Sequence, residues 1–184
     1  NGIFTYFENE NLFAFNDDGA WKNTRRLVKE FYKNSGDPGL FEMIARIRFP
    51  LIINVCPDRA LNKTFEAMGI KFTSAYFSKD SGPKFKNLQY PSKENPVIFN
   101  IFGSVDTDTS LILDHDKLYE TIQYLLPDNS LPESIETFLK QASGFLLLGM
   151  KFESWQYQLI CHKLKLKDIN SHKINLSASY STDT

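Results

Sequence analysis

The stretch that decides the fold is Phe49-Pro50-Leu51-Ile52-Ile53-Asn54-Val55-Cys56-Pro57-Asp58-Arg59-Ala60-Leu61. Its first half is a short apolar run, typical of a β-strand that is covered on both faces in a parallel sheet. Pro57 ends the strand, and Asp58 is placed to cap a helix that runs to Gly69. Open α/β sheets bind ligands at such strand-to-helix turns. We therefore expect Cys56, Pro57 and Asp58 to lie at the functional edge of the sheet.

Length and composition indicate an ordinary globular α/β protein. The 184 residues suffice for a substantial core, and 42% apolar with 23% charged residues are usual values. A net charge of -1 argues against nucleic-acid binding by bulk electrostatics. No apolar run reaches the ~18 residues of a membrane span, and two cysteines in apolar surroundings favour a reducing cytoplasm. Because the chain begins at Asn1 rather than Met, we expect a piece of a longer polypeptide.

Apolar strands alternate with amphipathic helices along the chain. Residues 1–49 are predicted to be a helical and connecting segment, with one helix capped at Asn23-Thr24 and a second buried through Leu40, Met43, Ile44 and Ile47. Further strands are predicted at residues 70–77, 97–103, 110–113, 144–149 and 173–177. Helices are predicted to start at Asp114, Leu131 and Ser154. This alternation predicts a three-layer, Rossmann-like, mostly parallel sheet with helices on both faces over residues 50–184.

Three of these strands end in short motifs, at residues 52–58, 101–104 and 148–155. In order and spacing they resemble motifs of the sirtuin family, in its bacterial sirtuin-like branch: Thr-Thr-Asn-x-Asp, His-Gly and Gly-x-Ser-x-x-Asp-Trp. The short strand at 110–113 and the acidic helix start at Asp114 fit the same order. The resemblance covers about residues 40 to 165. The resemblance implies a Rossmann sheet. Active members of the family bind NAD and cleave the nicotinamide–ribose bond.

The departures from the family's motifs concern its reactive groups. Cys56 stands at the position of the catalytic Asn, Phe102 at that of the catalytic His, and Ser154 at that of the last motif's Asp. In the family that this chain resembles, the His acts as a general base on a ribose hydroxyl. Losing a general base lowers the reaction rate by ~10²–10⁴. A thiol also lacks the paired donor and acceptor with which the Asn positions ribose and water. The family's Gly-Ala-Gly phosphate loop is absent from these 184 residues; it would precede residue 1 or has been lost. We therefore predict no catalytic residues.

Three functions follow from this comparison. The first is a non-catalytic sirtuin-like domain without cofactor, acting as a structural, oligomerisation or protein-interaction module of a larger bacterial protein. Because active relatives are NAD-consuming effectors of antiphage defence, the resemblance suggests a defence setting. Its partners would be proteins or copies of itself, with no nucleic acid and no membrane.

In the two alternative functions, the domain still binds a ligand. One is a sensor that binds NAD, ADP-ribose or another nucleotide in a remnant crevice, if that crevice is open. The crevice is predicted to be formed by Cys56, Asp58, Phe102, Gly103, Ser104, Gly149 and Ser154. The other is an active NAD hydrolase with an atypical site.

Other reactive or charged residues are given structural roles. No His is placed by the sequence to activate Cys56 as a nucleophile. The acidic cluster has no established metal-ligand spacing, so no metal site is predicted for Asp106, Asp108, Asp114, His115 and Asp116. The basic residues 163–167 are interpreted as a solvated helix end. The aromatic opening is predicted either to pack on the sheet or to form an interface, through Phe4, Tyr6, Phe7, Phe13 and Phe15.

Overall fold

The computed structural model describes residues 4–10, 12–33, 38–79, 88–107, 109–149, 154–165 and 174–178. The chain forms two compact units, Asn1–Ile135 and Glu136–Thr184. The boundary expected after residue 49 stays a prediction. Across the described ranges, no helix is both long and apolar enough to cross a membrane.

The first unit opens with an antiparallel hairpin of β1 (Phe4–Phe7) and β2 (Leu12–Phe15). The prediction of a helical and connecting N-terminal segment included no strands, whereas aromatic side chains paired across two strands favour a hairpin here. Helix α1 (Asp18–Lys33) follows. It begins before Asn23-Thr24, since the Asp17 carboxylate accepts the Ala20 N–H at 2.7 Å and caps the helix earlier.

The centre of the first unit is a parallel sheet of β3 (Leu51–Asn54), β4 (Thr73–Tyr76) and β5 (Val97–Asn100), in the order β3-β5-β4. Every residue of β5 is buried, whereas every residue of β3 is only half-buried. The expectation that the first strand is covered on both faces is therefore wrong for β3 and describes β5 instead. Helices flank this sheet, so the fold is the predicted α/β, Rossmann-like one.

Helices α2 (Pro38–Ile47) and α3 (Ala60–Ala67) pack on one face of this sheet. Their cluster is formed by Ala45, Leu61, Phe65 and Ile98, with Phe41 and Ile44 packed against it. The predicted buried stripe of α2 is wrong except at Ile44, because Leu40, Met43 and Ile47 are exposed. Apolar residues surround most of α2, so periodicity could not decide which face turns inward.

The cap predicted at Asp114 is confirmed. Its carboxylate accepts the Lys117 N–H at 2.7 Å and starts helix α4 (His115–Leu125). Residues 110–113 form no strand, contrary to the prediction. The backbone there pairs with β2 only locally, through an isolated bridge from Phe13 to Asp114 and the Phe13 N–H donated to the Leu113 carbonyl at 2.8 Å.

The second unit contains the elements predicted near residues 144–177. Helix α5 (Glu133–Gln141) crosses the division between the units. It is followed by β6 (Gly144–Leu148), α6 (Trp155–Lys163) and β7 (Ile174–Ala178), and β6 and β7 pair in parallel. Ser154 caps α6, its hydroxyl accepting the Tyr157 N–H at 3.2 Å. Glu136 and Lys163 form a largely buried ion pair within this unit.

Candidate functional site

Strands β3 and β5 end side by side at two asparagines, Asn54 and Asn100. The Asn54 side-chain amide donates to the Asn100 side-chain oxygen at 3.3 Å, and the Asn54 oxygen accepts the Cys56 N–H at 3.2 Å. Asn100 in turn donates to the Asp58 carbonyl at 3.2 Å. Two amides thus hold the turn between β3 and α3. The sequence analysis missed Asn100, although two neighbouring apolar strands that each end in Asn are a usable signal.

Asp58 lies buried in this turn. Its carboxylate accepts the Ala60 N–H at 2.8 Å, from one residue before the N-cap position, which Arg59 occupies. Burial raises the pKa of Asp58, although the hydrogen bond from Ala60 and the nearby charge of Lys63 act in the opposite direction. The expected link between Asp58 and the helix start is present, with this shift of one residue.

Cys56 is exposed at the tip of the same turn. The surrounding protein still removes part of the thiol's solvation, and this, together with the charge of Asp58, raises the pKa of Cys56. The thiol is therefore protonated at neutral pH and is a weak nucleophile.

Tyr32 of α1 is electrostatically coupled to this turn. Burial, followed by the charges of Cys56, Asp58 and Tyr6, raises the pKa of Tyr32 to about 12. An isolated Tyr on an amphipathic helix gave no signal of this in the sequence.

The turn after β5 is tightly filled. Phe102 is only 5% exposed, and Gly103 has a φ of +89°. A Cβ added at Gly103 would meet the Ser110 carbonyl oxygen at 2.0 Å. The Ser104 N–H donates to the Ser110 hydroxyl at 2.9 Å. The single proton of that hydroxyl has two acceptors within reach, the Thr107 carbonyl at 2.9 Å and the Ser104 carbonyl at 3.1 Å. The loop therefore closes on itself through buried hydrogen bonds.

The two turns are joined directly. The Val105 N–H donates to the Pro57 carbonyl at 2.8 Å, and Arg59 pairs with Asp106 at 3.5 Å. The structure thus brings five predicted crevice residues to one sheet edge, namely Cys56, Asp58, Phe102, Gly103 and Ser104.

The two remaining crevice residues belong to the second unit. Gly149 follows β6 with a φ of +67° and no atom within 4 Å of an added Cβ, and Ser154 caps α6. Residues 150–153 of that motif lie outside the described residues.

The acidic residues near α4 are held by separate partners. Asp114 caps the helix, Asp106 pairs with Arg59, and His115 hydrogen-bonds to Glu10 at 2.7 Å. In the described part of the chain, no three His, Cys, Asp or Glu residues are grouped to hold a metal ion. Asp108 lies outside that part.

The strands and turns at this sheet edge lie within a region that matches the model of a known protein family. The family model described as the SIR2-like domain matches residues 50–182. The chain belongs to the SIR2-like family. Searches of the curated proteins and of the solved structures gave no significant match. The SIR2-like match starts just before β3 and extends past β7, so it includes both turns and the β6–α6 motif, while the hairpin, α1 and α2 precede it.

Proposed function

We propose that this SIR2-like domain is non-catalytic and serves as a structural, oligomerisation or protein-interaction module of a larger bacterial protein. Phe102 carries the proposal, because it stands where the sirtuin resemblance has its general base. A phenyl ring accepts no proton, and this one is packed in the core beside Gly103. The closed loop of Ser104 and Ser110 further supports a turn built for packing.

The turn after β3 supports the same proposal. A thiol whose pKa is raised stays protonated, so Cys56 is poorly suited to nucleophilic attack. The Asp58 carboxylate is engaged with the start of α3. His115 is hydrogen-bonded to Glu10 of the hairpin turn.

The exposed apolar face of α2 supports an interaction role. Leu40, Met43 and Ile47 lie on this face, and Met43 alone is 65% exposed. Exposed apolar side chains grouped on one helix face are a common feature of protein-contact surfaces. We further propose the cytoplasm, in accord with the two free cysteines, and a role in antiphage defence, which rests on the family resemblance alone.

The test is incubation of the protein with NAD, with released nicotinamide followed by chromatography and ligand binding followed by calorimetry. We expect neither nicotinamide release nor binding of NAD or ADP-ribose. Turnover that disappears in Asp58→Asn but persists in the exposed control Asp116→Asn would overturn the proposal. Binding without turnover would favour the sensor instead. Circular dichroism of each variant separates loss of activity from loss of fold.

A further inference from the structure

A second polar cleft opens at the carboxyl end of β4 and β5, on the side of α4. The residues after β4 and β5 form one wall, and one face of α4 forms the other. It is lined by Phe77, Ser78, Lys79, Gly103, Ser110, Lys117, Glu120, Thr121 and Tyr124. The cleft shares Gly103 with the predicted crevice and Ser110 with the closed turn after β5, whereas its charged residues, Lys79, Lys117 and Glu120, belong to neither.

Two lysines converge on a single carboxylate in this cleft. Lys79 hydrogen-bonds to one oxygen of Glu120, and Lys117 hydrogen-bonds to the other. Lys79 comes from the end of β4 and Lys117 from the first turns of α4, so the arrangement joins residues distant in sequence. Two cations and one anion leave this cluster with a net charge of +1.

Glu120 is held as an oxyanion. The hydrogen bonds from Lys117 and Lys79 lower the pKa of Glu120, so its carboxylate stays ionised between the two ammonium groups. Its side chain lines the cleft and is 28% exposed, so a rotation about its own bonds would carry the carboxylate into solvent.

We propose that this cleft is a binding site for a small phosphate- or carboxylate-bearing ligand, whose oxyanion takes the place of the Glu120 carboxylate between Lys79 and Lys117. Each ammonium group would then donate to one oxygen of the incoming oxyanion, as it now does to Glu120. Ser78 and Tyr124 add hydroxyl groups to the same lining. The proposal is independent of whether the domain is catalytic.

The size of the cleft limits the ligand. Its cavity volume is about 10 Å³, which is room for about one water molecule. Space for a ligand oxyanion therefore comes from the Glu120 carboxylate that it replaces. The cleft suits a compact anion or the anionic end of a small molecule.

Glu120 acts as an internal competitor under this proposal, because a ligand binds only the fraction of molecules in which Glu120 has moved away.

Inorganic phosphate is the first probe. It is titrated into the protein at constant ionic strength, because salt screens exposed charges. Binding is read from chemical shifts of the Ser78 and Gly103 amides. We expect Glu120→Gln to bind phosphate at least tenfold more tightly than the native protein, with Glu120→Asp in between.

The lysines provide the decisive variants. In the Glu120→Gln background, we expect Lys79→Gln or Lys117→Gln to abolish phosphate binding, and the exposed control Lys71→Gln to leave it unchanged. Acetate is the second probe: binding of both anions indicates a general oxyanion site, and binding of phosphate alone a phosphoryl site. Equal phosphate affinity in native and Glu120→Gln proteins, or binding that survives both lysine substitutions, would overturn the proposal. Glu120→Asp keeps the test open if Glu120→Gln does not fold.

Discussion

The turns after β3 and β5 are neighbours at one sheet edge, yet they are built in different ways. The β5 turn is closed by packing, with Phe102 in the core and Gly103 against the Ser110 backbone. The β3 turn exposes Cys56 and is held by side-chain amides of Asn54 and Asn100. The β5 turn is therefore part of the core, whereas the β3 turn lies at the surface and is held by a few hydrogen bonds.

The largest effect is expected in the packed turn. Gly103→Ala forces a Cβ to within 2.0 Å of the Ser110 carbonyl oxygen at a φ of +89°, so we expect it to lower the free energy of unfolding by more than about 3 kcal/mol. Gly69→Ala is the matched control, since Gly69 also has a positive φ but nothing lies within 4 Å, and it should cost ~1 kcal/mol. Urea unfolding measures both. Equal losses would mean that the β5 turn is not closely packed.

A smaller loss is expected at the asparagines. Asn100→Ala leaves the buried Asp58 carbonyl without its side-chain donor, so we expect a cost of ~1–3 kcal/mol. Asn54→Ala removes a bond to Cys56 in the exposed part of the turn and should cost less. Hydrogen exchange at the Cys56 and Ala60 amides should rise in both variants while the Gly103 region stays protected. Faster exchange in the β5 turn as well would show that the two turns open together.

Tyr32 tests how the β3 turn is coupled to α1. A pKa raised from 10.0 to about 12 means that the folded state holds the phenolic proton more tightly than the unfolded state. The stabilisation is therefore fully present below pH 10 and is lost as the pH rises from 10 to 12. In Tyr32→Phe this loss should disappear, which unfolding curves at pH 9 and pH 11 measure. A native-like pH dependence in the variant would show that Tyr32 does not cause the loss.

The smallest effect concerns the reactivity of Cys56. Because Asp58 contributes to the raised pKa of the thiol, Asp58→Asn should increase the thiolate fraction and speed modification by a disulfide reagent at pH 8 by about threefold to tenfold. Asn keeps an oxygen for the Ala60 N–H, so the turn is retained. Cys56→Ser provides the background from the buried Cys161. An unchanged rate would assign the raised pKa to desolvation alone.

The sequence predicted those parts of the fold that depend on local patterns. The cap at Asp114, the strand predicted at residues 97–103 and the family resemblance all rely on residues close together in the chain. The structure confirms the cap and a strand over Val97–Asn100, and the family comparison confirms the SIR2-like family. Burial and pairing depend on distant residues instead. For this reason the burial of β3 and the buried face of α2 were predicted wrongly.

The candidate site shows the same limit. Cys56, Asp58 and Gly103 could be chosen because they follow strands. The partner that fills the Gly103 position is Ser110, and the one that supports Asp58 is Asn100, which lies 42 residues away. Asn100 could be noticed because it ends a strand, as Asn54 does, but its bond to Asp58 and the contact of Gly103 with Ser110 appear only in the three-dimensional arrangement.

The hydrogen bond from Val105 to Pro57 uses main-chain atoms alone. Replacing either side chain leaves its donor and acceptor in place, with proline at position 105 the exception because it has no N–H. The relative position of the two turns can therefore be inherited through changes of residue type at Cys56 and Phe102.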